Sequence, residues 1–210
     1  MNKLLLAAVL VMGTMAAPVV APSAVHATAA PGVLVCDNTK ADPYTGTYKR
    51  VTVPRGASCY LKDAVVNGNL KALHGAKDVV VLNTEVKRNI HIRGAERRVK
   101  IGVPSCRFDP PVGNNIKVTR SHNVLICFMT VRNNIMVTRN DGRITLLNND
   151  VGRKIQVTNN LPFNHKRGDG HHRRIAAIRL FDNVAGNHIF ETRNPRRGLI
   201  ASGNSPTPTT

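Results

Sequence analysis

Three stretches of this chain are near copies of one another: Val112-Gly113-Asn114-Asn115-Ile116-Lys117-Val118-Thr119-Arg120, Val131-Arg132-Asn133-Asn134-Ile135-Met136-Val137-Thr138-Arg139 and Val151-Gly152-Arg153-Lys154-Ile155-Gln156-Val157-Thr158-Asn159. Their leading valines stand 19 and 20 residues apart, which is the period of a short solenoid. The pattern extends to Val66-Asn67-Gly68-Asn69-Leu70 and Val86-Lys87-Arg88-Asn89-Ile90, with a weaker copy at Val184-Ala185-Gly186-Asn187. Between these headers each unit carries a second apolar run, such as Val79-Val80-Val81, Val124-Leu125-Ile126 or Ile144-Thr145-Leu146.

A unit of this length is too short for a strand plus a long helix. The alternation Ile116-Lys117-Val118-Thr119 has period two, the period of a strand. Such strands bury their apolar side only by stacking on the next coil, about 4.8 Å further along the axis. The expected fold is therefore all-β: a single-stranded, right-handed parallel β-helix of six or seven coils. Ile116, Ile135 and Ile155 should form one internal ladder, Val118, Val137 and Val157 a second, and Val112, Val131 and Val151 a third. Longer steps between headers place loop insertions near 102–111 and 159–173.

Lys3, the apolar run Leu4 to Met12 and the small residues leading to Val25-His26-Ala27 read as a signal peptide over 1–27. The apolar run is shorter than the roughly 20 residues a membrane span needs. Residues 28–64 are then an N-terminal segment and cap, 65–201 the β-helix, and 202–210, polar and rich in Pro and Thr, a disordered tail. Export makes disulfides the expected state of the four cysteines. Cys36 with Cys59 would close the N-terminal cap, and Cys106 with Cys127 would tie the first loop to the neighbouring coil. The other connectivities remain open but cross more structure. No CxxC spacing suggests a metal site.

The stretch from Gly46-Thr47-Tyr48-Lys49-Arg50 through Gly56-Ala57-Ser58-Cys59-Tyr60-Leu61, the Asn67-Gly68-Asn69-Leu70 coils and the closing Ser202-Gly203-Asn204-Ser205-Pro206 resemble the small secreted right-handed β-helix proteins of actinobacteria. The resemblance implies a pectate-lyase-like solenoid and brings no catalytic residues with it. Similar proteins tend to have Gly-rich, weakly charged coils, whereas several coils here carry Arg or Lys.

That basic character is the main functional signal. The chain holds 30 Lys and Arg against 12 Asp and Glu, a formal charge of +18, and an exported domain of this kind attracts polyanions. Arg88, Arg132, Arg153 and Lys154 lie beside the headers, and Lys117, Arg120 and Arg139 lie along the strands, so register should gather many of them on one side. Arg120 and Arg139 occupy equivalent positions on successive coils, a mutual repulsion of about 1 kcal/mol in water. The second loop adds Lys166, Arg167, Arg173 and Arg174 around His165, Asp169, His171 and His172. Its cations oppose metal binding, so no metal or other cofactor is expected. The tripeptide Arg167-Gly168-Asp169 is common by chance.

The stacked Thr119, Thr138 and Thr158 are too few, and too close to arginines, for an ice-binding face. The Asn114-Asn115 and Asn133-Asn134 pairs suit turns that hydrogen-bond along the stack. A hydrolase needs two converging carboxylates and a calcium-dependent lyase an Asp cluster beside a base, but the acids are scattered singly, with Asp150 and Asp182 in turn positions, which leaves a lyase using Arg or Lys in a basic groove as the best enzymatic alternative. The chain lacks Trp and has only Tyr44, Tyr48, Tyr60 and five Phe, which argues against stacking on single-stranded nucleic acid. The expectation is a secreted, non-catalytic protein that binds an anionic polysaccharide or a teichoic-acid-like polymer, associated noncovalently with the envelope. Non-specific nucleic-acid binding would follow from charge alone. The alternatives are a lyase acting on an acidic polysaccharide and a surface protein without a specific ligand.

Overall fold

The computed structural model describes residues 32–102, 111–161, 164–166, 172–174, 178–194 and 199–209. The chain winds as an all-β parallel solenoid of about seven turns with coils of about 20 residues, and no helix occurs among the described residues. Two long sheets run its length. The first stacks Val33–Val35, Arg50–Val53, Leu70–Ala72, Ile90–Arg93, Asn115–Thr119, Asn134–Thr138, Lys154–Thr158 and His188–Thr192. The second stacks Tyr44–Tyr48, Cys59–Val66, Asp78–Leu82, Arg98–Gly102, His122–Cys127, Asp141–Leu147, Ile178–Phe181 and Leu199–Ser202. A third, short sheet joins Thr130–Val131, Asp150–Val151 and Val184–Ala185, with bridges Val86↔Val112 and Val112↔Val131 continuing it toward the N-terminus.

The ladders read from the repeats are present in register. Ile116, Ile135 and Ile155 pair across the first sheet, as do Val118, Val137 and Val157, and all are fully buried. The isoleucine row continues from Leu70 and Ile90 to Ile189, and the valine row begins from Ala72 and Ile92. Burying a Leu, Ile or Val side chain is worth about 1.5–3 kcal/mol relative to exposure, so these rows supply the main driving force for stacking.

Three details differ from the expectation. Register places Ala185, not Val184, in line with Val151, and Val184 faces solvent opposite Asp150. The reason is local: Gly186 packs on the Gly152 carbonyl, which sets the phase of that coil. Strand stacking begins at Val33, paired with Arg50, ahead of the first recognisable header. At the other end, where composition suggested a disordered tail, Ser205 bridges Val184 and Thr209 bridges Phe190, so residues 202–209 continue along the last coil.

Cys36 and Cys59 form a disulfide near the N-terminal end, with Cα atoms 5.3 Å apart. Cys106 lies outside the described residues, so its expected bridge to the buried Cys127 is not described. The loop 103–110 is likewise outside. Within the second insertion, Asn164–Lys166 and His172–Arg174 pair as an antiparallel ribbon. Arg167 and the side chains of Lys166, Arg173 and Arg174 lie outside the described residues.

The interior turns hold a polar device the repeats did not announce. Where the first sheet turns into the second, the Asn140 carboxamide oxygen accepts from the Ser121 N–H at 2.9 Å, and its NH2 donates to Val118 O and Asn160 Oδ1, both at 3.1 Å. Asn160 repeats this with Val137 O and Asn194. At the next corner Asn149, Asn183 and Asn204 form a second column. Buried amides with every group paired hold one coil to the next, and removing one orphans its partners.

Asn140→Ala should accordingly lower unfolding stability by about 1–3 kcal/mol in urea denaturation. Asn134→Ala, on the partly exposed ladder to Asn115 (2.8 Å), should cost at most about 1 kcal/mol.

Candidate functional site

Strand alternation turns every second residue of the first sheet outward, and register stacks those residues into rows. One row reads Thr52, Lys71, His91, Lys117, Met136, Gln156 and Phe190. Two residues further along each strand, a second row reads Arg93, Thr119, Thr138, Thr158 and Thr192. Immediately after it the chain turns through Gly94, Arg120, Arg139, Asn159 and Arg193, all at positive φ.

Between the first row and this turn runs a groove of about 570 Å³ lined by Lys71, His91, Arg93, Lys117, Arg120 and Arg139 together with Thr119, Thr138, Thr158 and Asn159. This volume lies within the range of small-molecule sites. Five permanent cations and one imidazole therefore face a single concave surface.

Of the residues singled out from sequence, Lys117, Arg120 and Arg139 line this groove. Arg88, Arg132 and Arg153 stand at the opposite edge of the same sheet, in the turns that enter it, and Lys154 begins a strand there in line with Asn134. Lys71, His91 and Arg93 were missed. Alignment of Leu70-Lys71-Ala72 and Ile90-His91-Ile92-Arg93 beneath Ile116-Lys117-Val118-Thr119 would have found them, since the isoleucine fixes the phase.

The acids are distributed in the opposite way. Asp63, Asp78 and Asp141 lie on second-sheet strands, Glu85 on the short strand Glu85–Val86 paired with Cys59–Val66, Asp150 on a third-sheet strand, and Asp37, Asp42, Glu96 and Asp182 in connections outside the first sheet. Glu191 is the one acid on a first-sheet strand among the described residues, and it points inward, 5% exposed, accepting from Asn194 at 3.0 Å. On the second sheet, by contrast, basic side chains meet carboxylates: Arg98 stands 3.4 Å from Asp78, and His122 2.9 Å from Asp141. Among the described residues the outer face of the first sheet has no such compensation.

His91 registers this imbalance. Partial burial, then the charges of Lys117 and Lys71 on the adjoining strands, hold its pKa below the ordinary value of 6.5. Carboxylates, paired acids and metal-ligating clusters have no place in the groove among the described residues, so every ionisable side chain that lines it is basic.

In comparisons with protein-family profiles, curated proteins and solved structures, nothing matches this chain. No helix among the described residues is long and apolar enough to cross a membrane.

Titration of His91 checks the local field. Because the folded state disfavours its imidazolium, His91 contributes stability that is present above pH 6.5 and declines as pH falls below that value toward the folded pKa. NMR should find it protonating below pH 6.5, and Lys117→Met, which copies Met136 of the next coil, should move the midpoint upward.

Proposed function

We propose that this is an exported, non-catalytic solenoid that binds anionic polymers of the cell envelope or extracellular space through the outer face of its first sheet. The observation that carries the reading is segregation: the described cations of this face stand together, and every described acid is either on another part of the surface or turned inward. A charge kept only for solubility needs no such sorting, since dispersed cations serve equally well. Arg120 and Arg139 stand on successive coils, whose backbones are about 4.8 Å apart, and Lys71 and Lys117 two coils apart, which suits a ligand that itself repeats its charge.

Export is supported by the N-terminal signal-like segment, by the Cys36–Cys59 disulfide and by the resemblance to small secreted β-helix proteins of actinobacteria. A calcium-dependent lyase would need an Asp cluster beside its base, and no acid lines the groove, whereas a lyase using Lys or Arg as its base is the alternative that product formation would reveal. Polyanion binding by such a face is salt-dependent, because each neutralised charge releases a counterion.

Binding of the full mature chain to teichoic acid, polygalacturonate, dextran sulfate and duplex DNA, measured at several salt concentrations, tests the reading. We expect selective binding to at least one polymer without release of unsaturated product. Lys71→Gln with Lys117→Gln should weaken it by about tenfold or more and flatten the slope of log K against log salt by about two. Equally weak, salt-abolished binding to all four, unchanged in the double variant, would reduce the charge to a solvated surface. Unsaturated product would make the protein a lyase.

A further inference from the structure

Among the residues that line the groove, His91 is the one whose charge changes near neutral pH. Register sets it between Lys71 of the preceding coil and Lys117 of the following one, with the backbones about 4.8 Å apart on each side. Arg93 lies two residues along the same strand on the same outward face, and Arg120 and Arg139 line the groove beyond it. No acid lines the groove among the described residues. His122, on the second sheet, has the opposite surroundings, with its Nδ1 2.9 Å from Asp141 Oδ1.

In the free protein every charge that faces His91 opposes its protonation, so the ring stays neutral where an ordinary histidine would be half charged. The neutral ring interrupts what would otherwise be a file of stacked like charges running from Lys71 to Lys117. A polyanion in the groove reverses the local field. Its charges offset those of the two lysines and favour the imidazolium, which donates from both ring nitrogens. Proton binding and polymer binding at one place are then linked, and each strengthens the other by the same factor.

Resting on the polymer-binding reading above, we propose that His91 is a proton-gated binding residue: the groove takes up a proton there as an anionic polymer enters, and binding tightens as the surroundings become acidic. The proton comes from solvent and rests on the ring, and no bond of the polymer is made or broken. The imidazolium joins the five permanent cations of the groove. The sign follows from linkage, since the complex binds this proton more tightly than the free protein does. The gain in affinity is complete at acid pH and is lost as pH rises through the midpoint of His91 in the complex.

The test uses the full mature chain and whichever of teichoic acid, polygalacturonate, dextran sulfate and duplex DNA binds it most tightly. The anionic groups of all four stay ionised between about pH 5.5 and about pH 7.5. Affinity is measured across that range at one ionic strength, and calorimetry near the middle of it, in two buffers of different ionisation enthalpy, reads proton uptake. We expect the parent chain to take up a fraction of a proton on binding and to bind about threefold or more tighter at the acid end of the range. His91→Gln should remove most of both effects. His91→Lys, charged throughout the range, should bind more tightly than the parent at the alkaline end and with a flatter pH profile. His122→Gln, on the second sheet, should match the parent in both. An affinity of the parent that is flat with pH would overturn this proposal while leaving a polyanion-binding face. So would proton uptake that persists in His91→Gln, which would belong to other histidines. Failure of all four polymers to bind the parent chain would overturn both.

Discussion

A coil of about 20 residues encloses too little interior to be stable alone, so backbone hydrogen bonding and apolar contact with the coils on either side decide whether any of it folds. That nearest-neighbour dependence imposes register. Once Ile116 sits over Ile90 and under Ile135, every other position on the strand is fixed as inward or outward, and each outward residue is stacked on its counterpart. The rule that builds the core therefore also writes the surface in rows. A cation placed on one coil has neighbours chosen by the same register, and the basic face follows from it.

Polar groups obey this rule differently at the two ends of the molecule. In the early coils the turn from the first to the second sheet is built with backbone bonds, Ala57 N–H to Pro54 O and Ala76 N–H to Leu73 O, and alanines fill the interior corner. From Ser121 onward the corner passes to side chains, and Asn140, Asn160 and Asn194 carry the hydrogen bonds between coils. The shorter turns of the later coils leave a backbone N–H facing inward, which a side chain must satisfy. Those shorter turns also bring Arg120 and Arg139 to the mouth of the groove.

Much of the fold was legible because it is repetitive. The Ile and Val ladders, the Thr119–Thr138–Thr158 row, the Asn115–Asn134 pair and the Cys36–Cys59 bridge are all present as read. What escaped reading did so for particular reasons. Val184 looks like a header valine, yet the Gly186 contact shifts the register by one. Val33 and Tyr44 begin the stack without a header to mark them. Asn140, Asn149 and Asn183 look like surface residues, since an asparagine that caps a turn and one buried beneath it are the same letter. Lys71, His91 and Arg93 sit on coils whose copies have diverged, so the groove was half visible, and its concavity belongs to the fold alone.

The account's central claim is that register gathers the cations of the first sheet into one binding face. Hydrogen exchange of the full chain with and without saturating polyanion measures this most directly. The account predicts added protection in Leu70–Ala72, Ile90–Arg93, Asn115–Thr119 and Asn134–Thr138 and in the turn after each, with Asp78–Leu82 and Arg98–Gly102 unchanged. Protection spread evenly over both sheets, or concentrated on the second, would contradict it.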